Sequence, residues 1–213
     1  MTPTLALERL MLHPRYDELV AAMRAAAPVH VVDQSDAATS DALRVVTAAG
    51  AAIPGGSDVQ TTAADGVPGW LRLGLLDAFT TWVEGRASTC RHNPHPSRPQ
   101  PVMAAAWRPG LIVCTACVYL TALARGSDAD RTCDGCGRLC AGPEHADGIY
   151  PGMLQLGPIV YQYGVCGDCR PAITPRNGPL SATQTAEQDQ PRGTGRVKPR
   201  GSRGRGRGKG HQR

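Results

Sequence analysis

The positions of the cysteines constrain the fold of this chain more than any other feature. All eight lie between residues 90 and 169, and six of them form C-x2-C pairs. The three pairs are Cys114/Cys117, Cys133/Cys136 and Cys166/Cys169. Two residues between paired cysteines allow a tight turn that directs both sulfurs at one metal ion, and zinc takes four such ligands tetrahedrally. The pattern therefore predicts a small fold that is organised by bound metal.

The composition agrees with a fold that depends on metal. The 213 residues include one Phe, three Trp and five Tyr, so the apolar share rests on Ala, Leu and Val. Small side chains bury little area per residue, and bound metal can then supply stability that the core lacks.

The start of the chain bears on the redox environment of the cysteines. The first residues lack the basic and apolar regions of a secretory signal, and no apolar run reaches the roughly 18–20 residues that span a bilayer. We therefore expect a cytoplasmic protein with no membrane partner, in a reducing environment where paired cysteines bind metal. A disulfide scaffold is the alternative interpretation of the same cysteines.

Two partitions of the ligands are open, and each gives two Zn2+ ions per chain. In the preferred partition, each site is a contiguous unit. The turns that carry its paired ligands, called knuckles below, lie on either side of a predicted strand region. Its sites are Cys90/His92 with Cys114/Cys117, and Cys133/Cys136 with Cys166/Cys169. The alternative uses the familiar spacing of about 15 residues between two cysteine pairs. Its sites are Cys114/Cys117 with Cys133/Cys136, and Cys140/His145 with Cys166/Cys169.

Two variations on these ligand sets also stay open. His95 replaces His92 if His92 points away from the first site. An iron–sulfur cluster on Cys133, Cys136 and Cys140 is the other variation. The spacing of those three cysteines departs from the ferredoxin run, and the cluster would leave the flanking pairs unused.

Apolar periodicity predicts a small helical unit over residues 1–86, before the cysteines. A break at His13-Pro14 divides the first helix, because proline does not continue a helix from its interior. The predicted elements are helix 4–27, a short strand 28–33, helix 41–49 ended by Gly50, an exposed connection 50–69 and helix 70–84.

Predicted strands and helices flank the first cysteine pair. The run 111–113 is predicted as a strand that leads into this pair, and residues 118–125 are predicted as a helix that follows it. A first knuckle, a strand and a second knuckle that opens a helix resemble a treble-clef zinc finger over residues 90–125.

The other two pairs enclose a second predicted strand region. Residues 153–165 read as strand with a break at Gly157-Pro158. Knuckle, strands and knuckle resemble a zinc ribbon over residues 132–170, with an inserted loop at 141–152. The two resemblances imply a double zinc-binding domain at residues 87–170, within a small zinc-stabilised α+β fold.

Residues 171–213 are predicted to be a disordered linker and an Arg-Gly tail. Residues 191–213 carry nine Lys or Arg and no acid, and subtracting nine from the net charge of +5 leaves −4 for residues 1–190. A mobile polycation favours nucleic acid, because each phosphate contact releases counterions. RNA or DNA is therefore the expected partner, bound with low sequence specificity. The candidate phosphate-binding residues are Arg192, Arg196, Lys198, Arg200, Arg203, Arg205, Arg207, Lys209 and Arg213.

No enzyme pattern accompanies the metal ligands. The H-E-x-x-H and deaminase H-x-E/P-C-x-x-C patterns, the P-loop and the Rossmann glycine signature are absent from the sequence. The stretch His92-Asn-Pro-His95 superficially resembles an HNH nuclease, but four adjacent residues cannot supply a motif that spreads over a ββα unit. The sequence favours a non-enzymatic, zinc-binding, nucleic-acid-binding accessory protein. A zinc-stabilised protein–protein adaptor of bacterial or phage origin and a metal-dependent nuclease are the alternatives.

Overall fold

The computed structural model of this chain describes residues 2–52, 59–141 and 147–173. Within these ranges the chain forms a small α+β fold, in which helices pack on a five-stranded mixed sheet. The α-helices are α1 (Pro3–Met11), α2 (Tyr16–Ala26), α3 (Val29–Ala52), α4 (Gly69–Val83) and α5 (Asp128–Arg131). The strands are β1 (Ser88–Thr89), β2 (Val102–Ala105), β3 (Leu111–Cys114), β4 (Tyr150–Leu156) and β5 (Ile159–Val165). Short 3-10 helices lie at Ala64–Gly66, Thr115–Thr121 and Arg170–Ala172.

Some predictions fall outside the described residues. They concern most of the linker, the whole Arg-Gly tail and His145. The inserted loop predicted at 141–152 ends earlier than expected, because β4 already begins at Tyr150. None of the described helices has the length and apolar character needed to cross a bilayer.

The predicted break at His13-Pro14 is confirmed, and it separates α1 from α2. The Thr2 hydroxyl accepts a hydrogen bond from an amide of the first turn at 3.4 Å, which caps the start of α1. Glu8 then fixes α1 to α4, because its carboxylate lies 2.8 Å from the guanidinium of Arg72 and both side chains are mostly buried.

The strand predicted over residues 28–33 is wrong, because residues 29–33 form the start of α3. The carbonyl oxygen of Pro28 accepts hydrogen bonds from the amides of Val31 and Val32 at 2.9 and 3.3 Å, as in a first helical turn. A run of β-branched residues favours a strand locally, but the same helix continues into a segment that packs against the sheet. The buried residues of that segment are Ala38, Ala42 and Val46. Tertiary packing therefore overrides the local propensity.

The helix predicted over residues 70–84 is confirmed as α4. Several of its buried side chains recur at three- and four-residue spacing, as on one face of an amphipathic helix. They include Leu71, Leu75, Ala78 and Trp82. The preceding helix was predicted to end at Ala49, but α3 continues three residues further, through Gly50 to Ala52.

The five strands are arranged in the order β1-β3-β2-β5-β4. β4 and β5 form an antiparallel hairpin, and β2 and β3 form a second antiparallel pair. β2 joins the two pairs by running parallel to β5, from Val102 opposite Ile159 to Ala105 opposite Gln162. The stretches that resemble a treble clef and a zinc ribbon therefore contribute strands to one shared sheet.

The two faces of this sheet are covered by different helices. Successive residues of β5 point to opposite faces: Ile159 and Tyr161 pack with the buried face of α4, whereas Val160 packs with that of α3. The cluster around α3 also contains Cys90, Cys114 and Cys117. The boundary predicted between residues 86 and 87 falls between α4 and β1, yet helices before it share both apolar clusters with strands after it.

The helix predicted over residues 118–125 is wrong in type and in extent. A 3-10 helix occupies Thr115–Thr121, and no helix or strand follows until α5. The indole Nε1 of Trp107 donates a hydrogen bond to Thr121 O at 2.7 Å and so fixes the end of this turn. A 3-10 turn has three residues and not the 3.6 of an α-helix, which changes the faces that its side chains occupy. Three consecutive residues are exposed, namely Val118, Tyr119 and Leu120.

Candidate metal centres

The four ligands predicted for the first site come together at the end of β3. We call Cys90, His92, Cys114 and Cys117 the first metal group; their ligand atoms all lie within 4.8 Å of one another. Cys90 Sγ is 3.7 Å from Cys114 Sγ. His92 Nδ1 is 3.3 Å from Cys114 Sγ and 3.2 Å from Cys117 Sγ. His92, and not its alternate, therefore supplies the imidazole.

The ligands predicted for the second site also converge. We call Cys133, Cys136, Cys166 and Cys169 the second metal group; their sulfurs again lie within 4.8 Å of one another. Cys136 Sγ and Cys166 Sγ are 3.8 Å apart. The side chains are thus grouped as in the preferred partition, and the alternative partition, which mixes pairs from both groups, is not assembled.

The sulfur–sulfur distances fit tetrahedral zinc. Zinc–sulfur bonds of about 2.3 Å place two sulfurs of a regular tetrahedron about 3.8 Å apart. The sulfurs of Cys90 and Cys114 are 3.7 Å apart, and those of Cys136 and Cys166 are 3.8 Å apart. A disulfide bond needs about 2.05 Å, and all eight cysteines are free. The disulfide interpretation is therefore wrong. Two four-ligand groups, one with three cysteines and a histidine and one with four cysteines, fit two metal ions.

Each group includes a sharp backbone turn. In the first, Asn93 has a φ of 46°, and its amide donates a hydrogen bond to Cys90 O at 2.8 Å. Asparagine is one of the few residues besides glycine that adopt this left-handed region readily. In the second, Gly137 has a φ of 73°, and its amide donates to Cys133 O at 2.8 Å. These turns direct the paired side chains to one point.

Asp134 connects the two halves of the second metal group. Its carboxylate accepts a hydrogen bond from Gly164 N at 2.6 Å, which ties the knuckle to β5. Burial raises the pKa of this carboxyl, and the hydrogen bond opposes that rise. Nearby, the amide of Cys166 donates to Cys133 Sγ at 3.3 Å. Backbone hydrogen bonds therefore join the two distant cysteine pairs in addition to the convergence of their sulfurs.

Burial and backbone hydrogen bonds oppose each other at one cysteine of each group. Burial disfavours the Cys90 thiolate, but hydrogen bonds from the backbone of Cys114 and His92 outweigh it and lower the pKa of Cys90 to about 7. The same balance, with hydrogen bonding from the backbone of Cys166, lowers the pKa of Cys133 to about 7. Each group thus contains a sulfur that ionises near neutral pH, and the thiolate is the form that binds metal.

Other cysteines of the groups shift in the opposite direction. Burial, followed by the neighbouring sulfurs, raises the pKa of Cys117 and raises that of Cys169 to about 12. Like charges this close disfavour one another, so the sulfurs of a group do not all ionise without a cation. A zinc ion removes this repulsion, and its binding releases the protons.

Cys140 and His95, the alternate ligands, lie outside both groups. Cys140 is 1% exposed, and its sulfur lies 4.0 Å from the carbonyl oxygen of Arg138. His95 Nδ1 lies 2.8 Å from Ser97 Oγ. The iron–sulfur set that needs Cys140 is therefore not assembled, and the two histidines of the HNH-like stretch have different partners.

Sequence reasoning missed Arg138, which lies beside the second metal group. Its guanidinium forms ion pairs with Asp147 at 3.0 Å and Asp168 at 2.9 Å. A hydrogen bond with Cys140 and the charges of Asp147, Cys166 and Asp168 raise its pKa. A zinc ion with four thiolates carries a net charge of −2, which a nearby guanidinium offsets. The sequence feature that could have indicated this role is the position of Arg138, two residues after the pair Cys133/Cys136.

Each group supplies as many protein ligands as tetrahedral zinc accepts. A catalytic zinc typically has three protein ligands and leaves one position for water or substrate. The two groups therefore have the composition of structural sites. Comparisons with known proteins found no matching family model, no matching curated protein and no matching solved structure.

Proposed function

We propose that this protein is a cytoplasmic, non-enzymatic accessory protein that binds RNA or DNA and is stabilised by two zinc ions. The observation that supports structural zinc is the complete set of four ligands in each metal group. In this proposal, residues 90–125 act as a treble-clef-like unit and residues 132–170 as a ribbon-like unit.

Nucleic-acid binding is inferred from the charge of the tail. Nine Lys or Arg in residues 191–213, with no acid, form a chain segment rich in glycine. Each phosphate that a cation neutralises releases counterions, which favours binding. The guanidinium group adds a planar fork that matches phosphate geometry. Such a segment supplies affinity and a fast encounter, with little selection among sequences.

The test compares the full chain with a variant in which all nine tail cations are replaced by Gln. On single strands, log K falls by about 0.7 per log unit of salt for each phosphate neutralised, so six engaged cations imply a slope of roughly −4. We expect the full chain to show this slope in fluorescence anisotropy with a labelled single strand, and the Gln variant to lose most of the affinity. Zinc content and circular dichroism should be the same for both.

If the full chain binds neither RNA nor DNA at low salt, the proposed function is wrong. A protein–protein adaptor is then the better interpretation, and one observation favours it. The helices α1 and α2 bury no residue completely, and Leu19 and Met23 on α2 are 39% and 67% exposed. Exposed apolar side chains of this kind are common where a protein docks onto a partner.

A further inference from the structure

A stretch of the zinc-binding region contains arginines and no acid. Between Glu84 and Asp128 the sequence has five arginines and neither Asp nor Glu, a charge of +5. Residues 1–190 carry −4 in total, so the remainder of those residues carries −9. One zinc with the three thiolates of the first metal group contributes −1, which leaves +4 for the loaded unit. The net negative charge of residues 1–190 therefore comes from outside this stretch. Residues 85–127, called the first zinc unit below, are basic.

Four of the five arginines of this unit lack an acidic partner among the described residues. Arg91, Arg98, Arg108 and Arg125 are all exposed. Among the described residues, none of these four has a carboxylate within ion-pair distance; Arg86 pairs with Glu84. Outside the unit, by contrast, ion pairs are common. The paired arginines there are Arg15, Arg24, Arg44, Arg72, Arg131 and Arg138. Four cations of one unit are thus available to a negatively charged partner.

The same unit exposes an aromatic ring. Tyr119 is 65% exposed, and its neighbours Val118 and Leu120 are 38% and 40% exposed. They lie on the 3-10 helix Thr115–Thr121, which also contains Cys117 of the first metal group. An exposed aromatic ring offers a flat face on which a nucleic-acid base can stack, and such stacking tolerates any base.

The first metal group limits the distance between the ring and an arginine. Arg91 lies between two ligands of this group, and Tyr119 lies two residues after a third ligand, Cys117. His92 Nδ1 and Cys117 Sγ are 3.2 Å apart. Chain geometry then places the backbones of Arg91 and Tyr119 within about 20 Å of each other. Both side chains are long and exposed, so one strand of nucleic acid can reach both.

We propose that residues 85–127 form a second contact surface for single-stranded nucleic acid, with Tyr119 stacking on a base and Arg91 and Arg125 contacting flanking phosphates. The inference rests on the proposed function and adds a folded surface to the tail. An unpaired strand is the occupant that uses both features, because its bases are free to stack and its phosphates are negative. An acidic peptide would satisfy the arginines and leave the ring without a stacking partner.

The test uses full-length, zinc-loaded protein with substitutions on this surface. We expect Tyr119→Ala to weaken binding of a labelled homopolymeric single strand by about 5- to 150-fold, the range for loss of one stacked base. Tyr119→Phe keeps the ring and should bind like the unsubstituted chain. Arg91→Ala should reduce the salt slope by about 0.7, the contribution of one phosphate contact on a single strand. Arg44→Ala, at an exposed arginine paired with Asp41, is the matched control and should change neither quantity.

Three results would overturn the inference and leave the proposed function standing. One is Tyr119→Ala binding as tightly as the unsubstituted chain while the Gln-tail variant does not bind. Another is tighter binding of a duplex than of the matching single strand, since paired bases are not available to the ring. The third is equal loss of affinity in Tyr119→Phe and Tyr119→Ala, which would exclude stacking. Zinc content, measured for every variant, confirms that the metal groups are intact.

Discussion

Within each metal group, the cysteines differ in pKa when no metal ion is bound. Cys90 and Cys133 each have a pKa of about 7, because backbone hydrogen bonds outweigh the effect of their burial. Cys117 and Cys169 have raised pKa values. A metal ion can therefore be captured first by the sulfur that is already ionised, and its charge then favours ionisation of the others.

The ligand partition is tested by single cysteine substitutions. Elemental analysis should find about two zinc per chain in the unsubstituted protein. Cys133→Ser and Cys166→Ser should each remove the zinc of the second metal group, whereas Cys90→Ser should remove the other. Cys140→Ser is the matched control and should retain both, because this buried sulfur belongs to neither group. Loss of zinc from Cys140→Ser with retention in Cys90→Ser would support the alternative partition, and a brown protein with iron and sulfide would exclude zinc.

At the scale of secondary-structure elements, the contact between α4 and β5 depends on a missing side chain. A Cβ atom added to Gly74 would lie 2.5 Å from the hydroxyl oxygen of Tyr161 and 3.1 Å from its ring. Glycine in a helix interior costs about 1 kcal/mol relative to alanine. The residue is therefore explained by the close approach of the tyrosine, whose ring lies in the apolar cluster of α4.

We expect Gly74→Ala to destabilise the protein by about 1–3 kcal/mol, the usual cost of overpacking a core, in spite of the gain in helix propensity. Gly69→Ala in the same helix is the matched control, because its Cβ would meet only Arg72 Nη2, at an ordinary contact distance of 4.0 Å. Adding Tyr161→Phe to Gly74→Ala removes the closest atom and should recover part of the loss. Urea unfolding measures all three. Equal stability of Gly74→Ala and Gly69→Ala would show that Tyr161 leaves room for a methyl group at position 74.

The elements differ in how far the sequence predicts them. The cysteine pairs and α4 were predictable, because two-residue spacing and helical periodicity are local patterns. The start of α3 was not, because the β-branched residues after Pro28 favour a strand and only distant packing decides. The parallel pairing of β2 with β5 joins Val102 to Ile159 across a long segment, and no local pattern specifies such a register.

The ligand groups were predicted more completely than their surroundings. The preferred partition rests on contiguity and on strands that lie between the cysteine pairs they serve, and the two groups follow it. The net charge of −4 for residues 1–190 gives no indication that residues 85–127 are basic. The exposed Tyr119 lies on a 3-10 helix where the sequence predicts an α-helix. Surface properties of this kind need the fold, because they depend on which side chains find partners.

At the scale of the whole molecule, α4 connects the two metal groups. Near one end, Trp70 lies against the knuckle of the second group, where a Cβ on Gly135 would be 3.3 Å from its ring. Near the other end, Trp82 Nε1 donates to Pro94 O at 3.0 Å, close to the knuckle of the first group. Twelve residues of helix separate the two indoles by about 18 Å. The groups also share one sheet, so neither is supported independently of the other.

This arrangement predicts that the described fold is lost as one unit when zinc is removed. Structural zinc sites in finger peptides bind with about 10–16 kcal/mol at neutral pH, and domains of this size are stable by about 5–15 kcal/mol. Loss of one ion therefore weakens the shared sheet beyond its own knuckle, and removal of both ions unfolds the described residues together. We expect chelator titration of two single-tryptophan variants, retaining only Trp70 or only Trp82, to give fluorescence changes at the same chelator concentration.

The control for that titration is the substitution of one ligand in each group. Cys90→Ser should alter the fluorescence of the variant that retains Trp70, although this indole lies at the other metal group, and Cys166→Ser should alter that of the variant that retains Trp82. Restoring excess zinc after chelation should return both signals together, since refolding requires the shared sheet. Two transitions at separate chelator concentrations, each confined to the nearer tryptophan, would show that the two units are stabilised independently and that α4 does not couple them.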